Sequence, residues 1–427
     1  MKTIIKDLPK SQKEIEVEVS VEEMRNYVEQ TVKKISREIK IDGFRPGKIP
    51  AEVIEQRIGK TEIYQGAGEL AINKTYSKII KENKLEVIGQ PKVDVTKIAS
   101  GNPLEYKIVL TVLPQVKLGD YTKIKGKLKK EEIKNERVES ELKKIQKSRA
   151  KFITTKEPSA KGDRVEIDFE SRLGGVKIEG GESKNHPLII GENKFVPGFE
   201  ENLIGLKENE EKKFNVVFPN DYYKKELAGK NIDFKVKMKL VQKVELPKLD
   251  DKFAQKLGNF SSLENLRASV KEGLEIEEEN KARDELREKI VDQILANSEM
   301  EVPDLLVEHE LDSMVGEMEN NVVRTGIEFE KYLENLKITR DSLRQGWREK
   351  AKRKVKLNLV MREINKKEKI KIDEEKIKER IDLMLKSYSN QEELKKIDPR
   401  RFREYVEEIM IKEKIFKMLE EIAAKNG

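Results

Sequence analysis

From Leu246 onward the apolar residues recur at three- and four-residue spacing to the end of the chain, which commits that whole stretch to helices. Ser261 and Glu264 read as a capping box ahead of Leu263, Leu266, Val270 and Leu274, a stripe that continues through Leu286, Ile290 and Ile294. Pro303 starts a second helix bearing Leu306, Met314 and Met318, and Thr339 precedes a third bearing Leu343, Trp347, Ala351 and Val355. Another begins at Asp373, and the last, behind Asp398-Pro399, carries Phe402, Val406, Ile409, Met410 and Leu419. Helices this long cannot all bury two faces in one bundle, so some apolar stripes must line an open surface. Composition agrees: 40% of residues are charged and 6% aromatic, with Trp347 the one tryptophan. Apolar area is therefore spread over long amphipathic elements of an extended molecule. Met314, Met318, Met384 and Met410 fit two roles, as fillers between helices or as adaptable contacts for varied chains.

At 427 residues the chain is long enough for about three domains. Its 88 basic and 81 acidic residues leave a formal charge of +7, a mild bias that does not mark a dedicated nucleic-acid binder. Cysteine is absent and the histidines are His186 and His309. That excludes disulfides, thiol nucleophiles and thiolate zinc, and leaves too few imidazoles for most zinc or serine-histidine chemistry. No metal or other cofactor is expected. The apolar run at the start breaks at Lys6, and no uncharged stretch of about 18 residues follows. The expectation is a cytoplasmic protein with neither a signal peptide nor a membrane span.

The N-terminal part mixes two periods. Ile15, Val17 and Val19 alternate with Glu14, Glu16 and Glu18, a half-buried strand that pairs with Thr3 to Lys6 across Pro9-Lys10-Ser11. Ser20 and Glu23 cap a helix striped with Val21, Met24, Val28, Ile35 and Ile39. A loop, Gly43 to Pro50, follows. Gly43 and Gly47 can take positive φ, whereas Pro46 and Pro50 fix φ at about −65°, so the loop is pre-shaped. Turned outward, Phe44 with Arg45 and Lys48 presents one ring and two cations to an anionic partner with an apolar notch. Tucked inward, it would make an ordinary connector. Pro50 heads a helix that Gly59 ends; a third helix, about Glu62 to Asn83, leads to strands near Leu85–Val95 and Leu104–Leu113. Ile58-Gly59-Lys60-Thr61 mimics the end of a phosphate-binding loop, but Ile54 stands where that loop needs glycine, so nucleotide binding is not expected. Further on, Lys123, Lys125, Lys127 and Lys129 alternate with Ile124, Gly126 and Leu128, a strand with one cationic face. Glu131 and Glu132 then open a helix closed by Lys143, Lys144 and Lys147. The cationic face suits RNA or acidic clients, or is simply solvated.

From about Ala150 to Leu246 the pattern is antiparallel β with one wet side. Val165, Ile167 and Phe169 form one strand, Phe214, Val216 and Phe218 another, and Phe234, Val236, Met238 and Leu240 a third with lysines on its other face. Between them lie FVPGFEENLIGL, Phe195 to Leu206, and FPNDYY, Phe218 to Tyr223.

These stretches resemble known proteins. Gly-Phe-Arg-x-Gly-Lys-x-Pro at Gly43–Pro50 is similar to the ribosome-docking signature of the trigger factor family. Residues 160 to 243 are similar in motif order and spacing to the FKBP-type prolyl isomerase domain, and Glu245 to Phe253 resembles that family's entry to its C-terminal domain. The resemblance implies a multidomain α+β protein: an α+β ribosome-binding N-terminal domain (1–115), a linker strand and helix (116–150), an antiparallel-β FKBP-like domain (151–245) and an all-α C-terminal chaperone domain (246–427). It implies an ATP-independent chaperone that docks on the large ribosomal subunit at the polypeptide exit site, on protein and rRNA, through Gly43, Phe44, Arg45, Pro46, Gly47 and Lys48. Its partners would be nascent and unfolded polypeptides, with no nucleotide and no membrane. The isomerase pocket would have Phe199 as floor with Val196 beside it, Phe169 and Phe234 as walls, and Tyr222 at the rim. Ile178 and His186 depart from the pattern where the family carries aromatic residues, and His186 would narrow or wet the pocket. No nucleophile is needed, because the barrier to rotating an Xaa-Pro bond, about 18–20 kcal/mol, comes from amide resonance. Two rivals are a free prolyl isomerase with targeting helices and an RNA binder using Lys123 to Lys129, which the mild net charge disfavours.

Overall fold

Alternation at Ile15, Val17 and Val19 becomes the inner face of a sheet in the computed structural model, which describes residues 1–42, 44–386 and 398–427. Strands β1 (Lys2–Leu8), β2 (Gln12–Val19), β3 (Val87–Lys97) and β4 (Leu104–Val112) form an antiparallel sheet in the order β1-β2-β4-β3. Its register sets Ile15 opposite Ile108 and Val17 opposite Tyr106, so the centre of one face is apolar. That face packs on helices α1 (Val21–Glu38) and α3 (Lys60–Glu82), while α2 (Ala51–Ile58) packs on those two helices in a separate cluster, with Ile54 fully buried. Ser20 and Glu23 make both bonds of the capping box, and the Met1 ammonium joins Glu23 at 2.7 Å. On the outer face Glu16 sits between Lys6 and Lys107, whose hydrogen bonds hold its carboxyl below the usual range.

The chain divides into two compact units, one made of Met1–Leu128 with Arg283–Gly427, the other of Lys129–Ala282. The second unit contains α4 (Asn135–Ser148), strands β5 (Lys151–Thr154), β6 (Arg164–Leu173), β7 (Val176–Ile189), β8 (Glu211–Val217) and β9 (Asn231–Glu245), α5 (Asp251–Leu257), and α6 (Leu263–Ala296) as far as Ala282. All strand pairs are antiparallel, in the order β5-β9-β6-β7 with β8 on β9. Val165, Ile167, Val236, Met238 and Val241 bury one face against Phe199 and Leu203. A smaller core joins Ile133, Val138 and Leu142 to Phe253, Ala254, Leu266 and Leu274.

In the first unit, the rest of α6 packs with α7 (Asp304–Arg324), α8 (Phe329–Asn335), α9 (Arg340–Glu368), α10 (Glu374–Lys386) and α11 (Pro399–Asn426). Ile290, Ile294, Val360, Ile364, Ile415 and Leu419 form the core between α6, α9 and α11, completed by Tyr121 and Ile124 from the segment after β4. Helices α7 and α8 pack with α9 in separate clusters, around Leu311 with Ala351 and around Phe329 with Leu343. Asp398 accepts backbone bonds from Arg400 and Arg401 and Pro399 leads the helix, as the sequence expects.

Three local expectations are corrected. The run Lys123 to Lys129 is no strand, since Tyr121–Lys123 is a 3-10 turn and residues 124–134 carry no ladder. Its backbone is satisfied by helices instead: Gln293 exchanges two bonds with Lys125, Asn426 Nδ2 donates to Thr122 and Ile124 carbonyls, and Gly126 N donates to Ala423 O. The next helix starts at Asn135 rather than at Glu131, because the chain stays extended until Ile133 is buried. The cap of α6 slips by one residue: Ser262 Oγ accepts from Asn265 N at 3.2 Å, while Glu264 turns to Arg267.

Two consequences are measurable. A Cβ on Gly119 would lie 2.2 Å from the Asn297 carbonyl oxygen, so Gly119→Ala is expected to cost at least about 1 kcal/mol in urea denaturation. Burial first, then the hydrogen bond to Glu368, push the Tyr121 hydroxyl from 10 up to about 12. Its contribution is whole below pH 10 and is lost as the pH climbs to about 12. Tyr121→Phe should therefore lack that alkaline loss when denaturation is repeated across the same pH range.

Candidate active site and docking loop

Strand irregularity builds the first wall of the second unit's cleft. Between the pairs Ile167–His186 and Phe169–Ser183, β7 carries one extra residue. Asn185 there takes φ 51° and its N–H donates to Asp168 Oδ1 at 2.7 Å, a bulge that re-aims the side chains around it. Phe169 thereby meets His186 edge-on at 5.7 Å and Phe195 at 5.5 Å. Phe234 on β9 stands opposite Phe214 and Ser171, and it meets Phe199 edge-on at 4.9 Å.

These rings enclose a cleft of about 500 Å³ lined by Phe169, Phe195, Val196, Tyr222, Phe234 and Ile178, among others. Four of the five expected pocket residues line it. Phe199 does not: it is fully buried, and Phe195 stacks over it at 4.3 Å and 11°, forming the surface a ligand meets. The sequence offers no sign of this exchange beyond two phenylalanines four apart. His186 is also outside the lining; it backs Phe169 and Phe195 and so neither narrows nor wets the cleft directly. Ile178 does line it, with Gly180 and Gly181 beside it, and Ser171 Oγ ties Gly181 O at 2.7 Å. At the rim Tyr222 and Tyr223 rings lie 4.6 Å apart, and burial pushes the Tyr222 hydroxyl up.

Ser171, Lys194 and Lys224 also line the cleft, with Ser171 Oγ engaged by Gly181 O, but rotation about an amide bond requires no nucleophile. Walls of this kind can seat a proline ring and set the preceding amide among apolar groups. Such an environment disfavours the planar, dipolar amide more than the twisted, less dipolar one, so binding strengthens toward the transition state.

In the first unit, the loop between α1 and α2 is pinned from below. Ser36, buried on α1, accepts from Gly47 N through its carbonyl at 2.6 Å and from Ile49 N through its hydroxyl at 3.4 Å. Gly47 takes φ 82°, a value only glycine adopts freely. Ile49 is buried with Ile54 and Ile63, while Phe44 is 40% exposed and Arg45, Pro46 and Lys48 are exposed around it. Of the two placements open to Phe44, the outward one is found. No carboxylate among the described residues pairs with Arg45 or Lys48. Gly43 lies outside the described residues. Ser36, which anchors the loop, carries no signal in the sequence.

Along the helices, a hollow of about 690 Å³ is lined by Met314, Met318, Val322, Ile327, Tyr332 and Trp347 with polar neighbours. Val323 and Leu383 remain 55% and 62% exposed, so apolar side chains do stay uncovered there. Among the described residues, no helix is long and apolar enough to cross a membrane.

Comparison with known proteins is consistent across the chain. Residues 1–145 match the family profile described as bacterial trigger factor protein (TF), residues 262–421 that of its C-terminus, and residues 155–246 that of FKBP-type peptidyl-prolyl cis-trans isomerase. Trigger factor of Caldicellulosiruptor saccharolyticus is 36% identical over 410 residues, covering 96% of this chain and 94% of the relative. That of Moorella thermoacetica is 34% identical over 389 residues, 91% and 87% of the two chains. That of Clostridium botulinum strain Loch Maree is 33% identical over 393 residues, 92% and 91%. A solved structure described as "Promiscuous Substrate Recognition in Folding and Assembly Activities of the Trigger Factor Chaperone" shares the fold at TM-score 0.50 and 22% identity, over 99% of each chain.

The ring stack makes a separable prediction. Phe199→Ala should cost about 3–5 kcal/mol in denaturation of the isomerase domain, since it empties a core position. Phe195→Ala, on a half-buried ring, should leave the domain folded by circular dichroism yet slow isomerisation of a short Xaa-Pro peptide.

Proposed function

The chain belongs to the trigger factor family, and from that membership we propose how its parts divide the work. The protein is a ribosome-associated chaperone with an FKBP-type peptidyl-prolyl cis-trans isomerase domain, and its family binds ribosomes and nascent chains. In our reading, residues 1–115 dock at the polypeptide exit site on protein and rRNA, through Phe44, Arg45, Pro46, Gly47 and Lys48 with Gly43. Residues 116–150 connect, residues 151–245 isomerise Xaa-Pro bonds, and residues 246–427 shield apolar segments of clients in the cytoplasm. The work needs no nucleotide, because shielding and ring-walled isomerisation both run on binding energy.

The observation that carries the docking assignment is the pinned loop itself: an exposed ring and two cations, without a carboxylate partner among the described residues, held on a backbone that Ser36 fixes. Preorganisation of this kind removes the ordering cost of binding. Catalysis we assign to the walls Phe169, Val196 and Phe234 and the rim residue Tyr222, with Phe199 supporting from beneath. Methionine and aromatic residues in the helical hollow suit varied apolar clients, because thioethers adapt to shape.

Cosedimentation tests the docking assignment. The purified protein should travel with ribosomes at low salt, and replacing Phe44, Arg45 and Lys48 together by Ala should abolish this while leaving peptide isomerisation intact. A triple variant that still cosediments would remove the loop from the docking role.

A further inference from the structure

The rings that wall the cleft sit at the end of a loop with an unusual anchor. Glu200 opens the 3-10 turn Glu200–Leu203 directly after Phe199, and its carboxylate folds back on residues 191–195. Oε2 accepts from Gly191 N at 2.7 Å and Asn193 N at 3.0 Å; Oε1 accepts from Lys194 N at 2.7 Å and Phe195 N at 3.2 Å. Four backbone donors fill the four acceptor sites of one carboxylate. Asn193 takes φ 54°, which helps successive N–H groups converge as in an anion-binding nest. The residue is 3% exposed, and among the described residues no cation pairs with it. Burial on its own would push this carboxyl up, but the four backbone bonds outweigh it and hold it below the ordinary range.

We propose that Glu200 is a positioning residue for prolyl isomerisation, fixing Phe195 and Val196 as the wall of the cleft through a charged grip on the backbone that precedes them. The inference rests on reading this cleft as the isomerase site. The last of the four donors is Phe195 N itself, so the anchor ends on the residue whose ring stacks over Phe199 and faces the ligand. Among the described residues, the side-chain ion pairs of that stretch are surface ones, Glu192 with Lys194 and with Lys147. A glutamine in this place offers one acceptor oxygen and an NH₂ group, so two of the four N–H donors would face another donor. The loop must then shift, and with it the ring. Displacement of a binding wall by about 1 Å is enough to cost an enzyme one to two orders of magnitude.

The test compares Glu200→Gln with Glu201→Gln, an exposed neighbour, in the full chain at a temperature where circular dichroism is native. Glu200→Gln is expected to lower kcat/KM on a short Xaa-Pro peptide about tenfold or more. Hydrogen exchange should speed up at the amides of Gly191, Asn193, Lys194 and Phe195 while those of β6 and β9 stay protected. Glu201→Gln should match the wild type in both. Unchanged kcat/KM in Glu200→Gln would overturn the proposal, as would an activity loss in which β6 and β9 lose protection equally, since that is a fold effect alone. If Glu200→Gln fails to fold, Glu200→Asp, with the charge kept and the reach shortened, should lose part of kcat/KM with the same local exchange; full activity there would overturn the proposal too. A wild-type protein inactive on the peptide would instead refute the reading of the cleft.

Discussion

The closure of the helical core by residues 116–126 is the constraint on which the first unit depends. Tyr121 and Ile124 fill a core made by α6, α9 and α11, and the backbone around them is bonded to all of its neighbours without forming a sheet. Lys117 and Glu299 exchange a pair of 3.0 Å backbone bonds, and Asn426 and Ala423, near the C-terminus, hold Thr122, Ile124 and Gly126. A segment without regular structure that packs two buried side chains, Tyr121 and Ile124, against helices is held when its backbone polar groups are met in this way. The N-terminal sheet is tied on by similar means. Glu301 accepts from the backbone of Lys10 and Ser11 in the β1–β2 turn, both in left-handed conformations, and Arg362 pairs with Glu86 at 2.6 Å. Segments at opposite ends of the sequence thus share one unit because each leaves donors or apolar area that the other completes.

A different economy governs the isomerase domain. Its sheet has a conventional apolar face, but the cleft depends on aromatic rings arranged in depth: Phe199 buried, Phe195 stacked on it, Phe169, Phe214 and Phe234 meeting it at steep angles. Tilted and offset ring pairs are favourable and, once buried, hard to rotate. Rigidity is what the chemistry asks for, because a wall that yields would bind planar and twisted amides alike and gain nothing at the transition state.

What the sequence could and could not convey follows from the range of the interactions involved. Caps are local, so Ser20 with Glu23 and Asp398 with Pro399 were readable, and so was the alternation that places Ile15, Val17 and Ile167 inside. The slip from Ser261 to Ser262 shows the limit of even this signal, since both serines precede plausible third residues, and in the fold Leu263 N donates to Asp251 Oδ1 while Ser261 Oγ accepts from the Asn265 side chain instead. Alternation at Lys123 to Lys129 was misleading for a deeper reason. A period of two reports that the chain is extended, not what it is bonded to, and here helices supply the partners that a strand would otherwise need. Phe195 was legible as part of a motif but not as the ring above Phe199, because the stacking order is fixed by Glu200 folding back on the loop. Likewise Ser36, in mid-helix, gains its role only once Gly47 and Ile49 return to it.

Uncovered apolar residues and high charge are two sides of one solution in the helices. Val323, Ile327, Leu336 and Leu383 stay open to solvent, and a surface of that kind invites self-association unless something limits it. On α7, α8 and α9 charges are knitted into pairs that span helices: Arg344 joins Glu308 and Asp312, and Arg340 joins Glu319 and Glu330. Each exposed pair contributes little stability, commonly under about 1 kcal/mol, so stability is not their main use. A pair of opposite charges carries no net charge, so what it adds is hydration: the polar groups keep water bound over the surface between helices. With 40% of its residues charged and a net charge of only +7, the chain sets its uncovered apolar side chains in a surface of mixed, mostly cancelling charge, which stays wet without a large single-sign field.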